Sequence, residues 1–154
     1  MAGRRKGREL ALQMLFQWDF SKESYPDVRK SFWTLHQEAD DEVRNFSDQL
    51  AEGTIENIEM IDVLLASHAE HWRLSRMAVV DRNILRMATF ELLHETATPC
   101  AVVINEALEV ARKFSTHESI HFINGILDSI RKERKDPAEV SKGEVEAPLE
   151  QKLP

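Results

Sequence analysis

The chain contains a single cysteine, Cys100, in 154 residues. It therefore has no intrachain disulfide and no zinc site built on cysteines. Glycine is scarce, and before residue 136 the only prolines are Pro26 and Pro99. No apolar run approaches the length needed to cross a bilayer, and no apolar signal-peptide stretch follows the basic start of the chain. These absences predict a protein that stays in the cytoplasm, away from the membrane. The G-x-x-x-x-G-K and G-x-G-x-x-G patterns are missing too, so nucleotide binding of those kinds is unsupported.

What is present is helical periodicity. With 42% hydrophobic residues, a chain of this length suits one globular domain with a real core. Apolar residues recur at spacings of three and four throughout, and no segment reads as a strand. The fold class is therefore all-α, with about seven helices. The first runs from about Arg4 to Asp19, with Ala11, Leu15 and Trp18 on one face, widened by Leu10 and Met14. Lys6, Gln13 and Gln17 share its polar flank. Tyr25-Pro26 marks a break before a second helix that turns Val28, Phe32 and Leu35 inward, with Trp33 beside them. Asp40 and Asp41 open a long acidic helix with Val43, Phe46, Leu50, Ile58, Ile61 and Leu65 as core positions, and Gly53 as a kink or a close-packing point.

Residues 71–77 read as a connector. The next helix starts near Val79, with Val80, Ile84, Met87 and Ala88 on one face. Glu91 lies on that face, so a partner is expected for it if it is buried. Thr98-Pro99 reads as an N-cap followed by proline at the first helical position. Val103, Ala107, Val110, Ala111 and Phe114 follow as a stripe. Ser115-x-x-Glu118 reads as a capping box that opens a last helix at about Thr116, with Phe122, Ile123, Ile126, Leu127 and Ile130 apolar. The expected organisation is one domain, 1–135, made of two packed sub-bundles (about 4–70 and 71–134). A polar, aperiodic segment, 136–154, is expected to be a disordered tail.

The net charge of −7 looks unsuited to nucleic acid, but its distribution matters more than its sum. Residues 1–8 carry Arg4, Arg5, Lys6 and Arg8 and no acid, whereas residues 40–70 carry nine acids against Arg44 alone. A basic end attracts phosphate locally because salt screens charges beyond about 8–10 Å, and exposed helix N–H groups favour anions there. The alternative for this cluster is a solvated basic end. Phe114 and Phe122 flank the last interhelical turn, as core residues or as platforms for unstacked bases.

His117-Glu118-Ser119-Ile120-His121 matches H-E-x-x-H, the zinc-protease signature. A catalytic zinc needs a third protein ligand, and the extended motif is broken by Asn124 and Leu127. No metal and no cofactor are expected. His68 and His71, three apart, read as exposed histidines near a helix end, and Cys100 as a buried thiol.

Four ordered blocks carry a family resemblance: Arg4-Arg5-Lys6-Gly7-Arg8-Glu9-Leu10-Ala11-Leu12-Gln13; Asp81-Arg82-x-Ile84-Leu85-Arg86-Met87-Ala88-x-Phe90-Glu91-Leu92; Ala101 to Phe114, with Val103-Ile104-Asn105-Glu106-Ala107 at its heart; and Phe122-Ile123-Asn124-Gly125-Ile126-Leu127-Asp128. Over about residues 4–132 the chain resembles the NusB family of bacterial transcription antitermination proteins. That resemblance implies two small helical bundles and no enzymatic activity. It implies transcription regulation, at termination and antitermination, through single-stranded boxA RNA bound together with the ribosomal protein NusE. The assembly supports RNA polymerase read-through in ribosomal RNA operons, within the transcription elongation complex.

The RNA-binding positions it implies are Arg4, Arg5, Lys6, Arg8, Gln13, Phe114, Glu118, His121 and Phe122, and the partner-facing ones Met77 and Asp81. His121 stands where some relatives carry lysine, and Glu118 where another acid is found. A homodimer is compatible with the resemblance. The competing readings are a helical interaction module that docks a basic partner on its acidic face without RNA, the helical front domain of some RNA methyltransferases, and a zinc hydrolase.

Overall fold

In the computed structural model, residues 2–69, 73–95 and 97–133 are described. The described residues form seven α-helices and no strand: α1 (Ala2–Ser21), α2 (Tyr25–Leu35), α3 (Asp41–Glu56), α4 (Ile58–His68), α5 (Val79–His94), α6 (Cys100–Phe114) and α7 (His117–Glu133). A short 3-10 turn, Leu74–Arg76, precedes α5. The expected tail 136–154 and His71 lie outside the described residues.

The helix starts follow local chemistry. Ser24 caps α2 by accepting from the Asp27 N–H, so Tyr25-Pro26 begins the helix rather than only breaking the chain. Asp40 caps α3 through the Val43 N–H at 2.9 Å. Two expected caps shift by one residue. Helix α6 begins at Cys100, with Pro99 in the cap position and no side-chain cap bond, so Thr98 is not its cap. At α7 the cap bond runs from the Ser119 N–H to the Thr116 hydroxyl. Ser115 instead ends α6 and donates its hydroxyl to Asp81, and Glu118 is an exposed first-turn acid.

The long acidic helix is in fact two. The Asn57 side-chain amide donates to the Gly53 carbonyl at 2.8 Å. Its backbone N–H also turns back on that last turn of α3, and α4 restarts from the Asn57 carbonyl through Ile61. Gly53 itself is a close-packing point: a methyl group there would overlap the Phe90 ring of α5. Gly7 plays the same role between α1 and α3, where a Cβ would lie 2.5 Å from the Phe46 ring. Beside it the buried Ser47 hydroxyl donates to the Gly7 carbonyl at 2.8 Å.

Helix α1 packs on α2, α3, α5 and α6, and α5 on α1, α3, α4, α6 and α7. The buried apolar side chains make one cluster drawn from all seven helices, so both expected halves share a core. Leu35 departs from expectation: at the last turn of α2 it is 78% exposed. Polar groups are buried in a network at the seam of α1, α4 and α5. Asp19 accepts from Arg82 (2.8 and 3.0 Å), Asn83 (3.1 Å) and Arg86 (3.0 Å), and Arg86 also forks onto Asp62 at 2.8 Å. Burial pushes the Asp19 pKa up, but these hydrogen bonds and the Arg82 and Arg86 charges outweigh it and hold the carboxyl below its ordinary value.

Candidate nucleic-acid interface

The first turns of α1 are held by carboxylates from two other helices. Arg5 grips Glu106 of α6 with two parallel bonds, Nε to Oε1 at 3.1 Å and Nη2 to Oε2 at 2.9 Å. The bond from Arg5, ahead of its charge, draws the Glu106 carboxyl below its usual range, and Glu106 in turn raises the Arg5 guanidinium. Half of the Arg5 side chain remains exposed. Arg4 reaches Glu95 at 3.9 Å and lies 5.0 Å over the Phe46 ring. Lys6 is exposed and has no ion pair among the described residues.

Arg8 corrects the reading of the basic cluster. It is only 4% exposed. Its guanidinium forks onto the buried Glu91, Nε to Oε1 at 2.9 Å and Nη2 to Oε2 at 2.6 Å, with Glu106 3.6 Å away. The partner expected for Glu91 is therefore Arg8, and Arg82 and Arg86 are engaged by Asp19 and Asp62 instead. A guanidinium buried against its counter-ion positions α1 on α5; it does not meet a phosphate directly. The exposed cations at this end are Arg4, Arg5 and Lys6.

Further along α1, Glu9 accepts from Lys113 of α6 at 2.9 Å, and Lys113 also lies 5.7 Å from the Phe114 ring centre. Gln13, one turn past Glu9, is half-buried, as are Phe114 and Phe122. Both rings pack on the core and leave an edge or face to solvent.

A second feature lies at the start of α7. Arg76, Met77, Ala78, Asp81, Thr116, Glu118, Ser119, His121 and Phe122 line a cavity of about 530 Å³. The structure thus brings the expected partner-facing residues, Met77 and Asp81, into one groove with three of the expected RNA residues. Asp81 is 4% exposed and accepts from the hydroxyls of Ser115 and Ser119, the latter at 2.7 Å. Its role is to fasten the α6–α7 turn to α5, which corrects its assignment as a surface contact. Arg4 lines a different cavity of about 420 Å³ with Asp40, Glu42 and Phe46.

His117 and His121 are exposed, their rings edge-on at 5.3 Å. Among the described residues no group of three or more His, Cys, Asp or Glu is placed to hold a metal ion. His68 is not exposed as expected: its side chain is 9% exposed, bonded to Ser129 at 2.6 Å and Glu133 at 3.1 Å. Sequence reasoning missed Arg76, which sits in a segment read only as a connector, and Lys113, whose alignment with Glu9 needs the α1–α6 packing. It also missed Phe16 and Phe20, 39% and 76% exposed and stacked in parallel at 6.2 Å. Their signal was their position off the Ala11–Leu15–Trp18 face.

No helix among the described residues is long and apolar enough to cross a membrane. The family model described as the NusB family matches residues 5–132. Among curated proteins, the transcription antitermination protein NusB of Koribacter versatilis (strain Ellin345) is 54% identical over 130 residues, covering 84% of this chain and 89% of that protein. Among solved structures, T. maritima NusB is 40% identical with a TM-score of 0.77, covering 84% of this chain and 91% of that one. A crystal structure of the antitermination factors NusB and NusE in complex with dsRNA has a TM-score of 0.78 at 23% identity, over 86% of this chain and 98% of that one, a likeness of fold. With a family model spanning nearly all the described helices and relatives of this identity and coverage, the chain belongs to the NusB family.

Proposed function

We propose that this protein is a non-enzymatic transcription antitermination factor of the cytoplasm. In this reading it holds boxA-type single-stranded RNA together with the ribosomal protein NusE and delivers both to the transcription elongation complex. The observation that carries the reading is its 54% identity to a transcription antitermination NusB protein over 84% of the chain. The geometry supports a division of labour. Arg4, Arg5 and Lys6 supply salt-dependent attraction for phosphates, with Arg8 holding α1 in place beneath them. The partly exposed rings of Phe114 and Phe122 serve as platforms for bases, and Gln13, Glu118 and His121 add hydrogen-bonding groups. Arg76 and the stacked pair Phe16 and Phe20 offer exposed cationic and apolar groups to the protein partner, while Met77, only 8% exposed, backs the α7 groove.

The test is fluorescence anisotropy of a labelled boxA-like RNA with and without NusE across a salt series. The reading expects binding that tightens with NusE and weakens linearly with log salt. Binding to NusE or another basic protein with no RNA affinity in either arm would replace it with the interaction-module reading, in which the acidic surface of α3 and α4 does the docking.

A further inference from the structure

Between helices α2 and α3 lies a cavity of about 510 Å³ lined by Pro26, Arg29, Lys30, Trp33, Thr34, Gln37 and Arg44. Three cations line it and no carboxylate does, in a chain with 27 acids against 20 lysines and arginines. Their surroundings leave donors available. Lys30 is exposed and Arg44 half-buried, and neither has a carboxylate within ion-pair distance among the described residues. Arg44 is held instead by the Trp33 ring, 5.0 Å beneath its guanidinium, a contact that orients the planar fork without consuming its N–H groups. Trp33 is fixed in turn by its Nε1–H bond to Asp48 at 2.9 Å, and the same carboxylate steadies Arg29 at 3.2 Å. Asp48 thus acts from behind as a scaffold for cations that point outward.

Helix α2 is fastened beside α1 on the side away from the pocket face. Lys6, Gln13 and Gln17 follow one flank of α1, and the Gln17 amide donates to the Ser31 hydroxyl of α2 at 3.0 Å, one residue from Lys30. We propose that the pocket of Arg29, Lys30 and Arg44 is a second phosphate-binding site, one that takes the phosphodiester backbone of RNA flanking the element held at α1 and α7. The proposal rests on the RNA reading above and adds a site and a minimum RNA length to it. A chain of phosphates is favoured over a lone anion because the three cations are spread over two helices, α2 and α3.

The experiment compares a core boxA-like RNA with the same RNA extended on both sides, against wild type, the double variant Arg29→Gln/Lys30→Gln, and a control of equal charge change, Lys22→Gln/Lys132→Gln. Far-UV circular dichroism verifies that each variant is folded. The proposal expects the extended RNA to bind wild type more tightly than the core. In the pocket variant that gain should fall by on the order of tenfold at 0.15 M salt, with a log–log salt slope shallower by about 1.4 for two lost phosphates. The core RNA and the control should be unaffected. No gain from extension, or an equal loss in the control, overturns it. So does protection of the pocket by inorganic pyrophosphate or by poly-glutamate but not by the extended RNA. If the core RNA fails to bind but the extended RNA binds wild type and not the pocket variant, the α1–α7 reading fails and the pocket stands. If neither binds, both fail.

Discussion

Substituting Arg8 separates a structural arginine from a ligand-binding one. Arg8 and Glu91 have side chains 5% and 6% exposed and share two bonds, at 2.9 and 2.6 Å. Arg8→Ala would leave a buried carboxylate without its counter-ion, which costs about 3–5 kcal/mol in comparable sites. In an ordered unit of this size each kcal/mol lowers Tm by about 3–5 °C, so the loss should be about 9–25 °C. Removing both charges as Arg8→Met/Glu91→Met should recover most of this, because a desolvated pair contributes little net stability over apolar residues of similar volume. Arg5→Ala gives the contrast: the Arg5 side chain is half exposed and Glu106 still has Arg8 beside it, so the urea midpoint should hardly move. Urea unfolding followed by circular dichroism at pH 7 reads all three. An Arg8→Ala protein with a wild-type urea midpoint but weaker, less salt-sensitive RNA binding would refute the reasoning and return Arg8 to the phosphate-contacting set.

Other expectations follow from the same packing. Gly53→Ala should lose about 1–3 kcal/mol from overlap with the Phe90 ring, outweighing the helix-propensity gain of about 1 kcal/mol, and Phe90→Leu in the same chain should restore part of it. Thr116→Ala should cost about 1 kcal/mol by removing the α7 cap, as read by the urea midpoint. Asp19 is held below its ordinary value, so its stabilisation is complete above the unfolded carboxyl pKa of about 4 and is lost as pH falls through the folded value. The urea midpoint should therefore drop on acidification below about pH 4, and Asp19→Asn should flatten that drop while lowering the midpoint at pH 7.

The elements were legible because periodicity and capping are local. The stripes of α5, α6 and α7 and the opening of α3 at Asp40 depend on residues three or four apart, whereas the cap at Ser24 went unread behind the Tyr25-Pro26 break. The split at Asn57 was not legible, since the apolar spacing runs on across it and only a side-chain amide bond diverts the ladder. The site was partly legible. Residues 4–6 read correctly as exposed cations, but a run of arginines does not reveal which one faces inward. Arg8 is claimed by Glu91, 83 positions away, and that pairing exists only once α1 lies on α5. The same is true of Asp81, which looked like a surface acid until the α6–α7 turn brought two serine hydroxyls to it.

The central claim is that RNA lies across the exposed turn of α1 and the start of α7. Photocrosslinking with boxA-like RNA carrying 4-thiouridine, followed by mass spectrometry of the crosslinked peptides, tests it most directly. The account expects crosslinks in the peptides bearing Arg4–Lys6, Phe114 and Phe122, lost with competing unlabelled RNA. Crosslinks confined to α3 and α4, or absent from both α1 and α7, would contradict it.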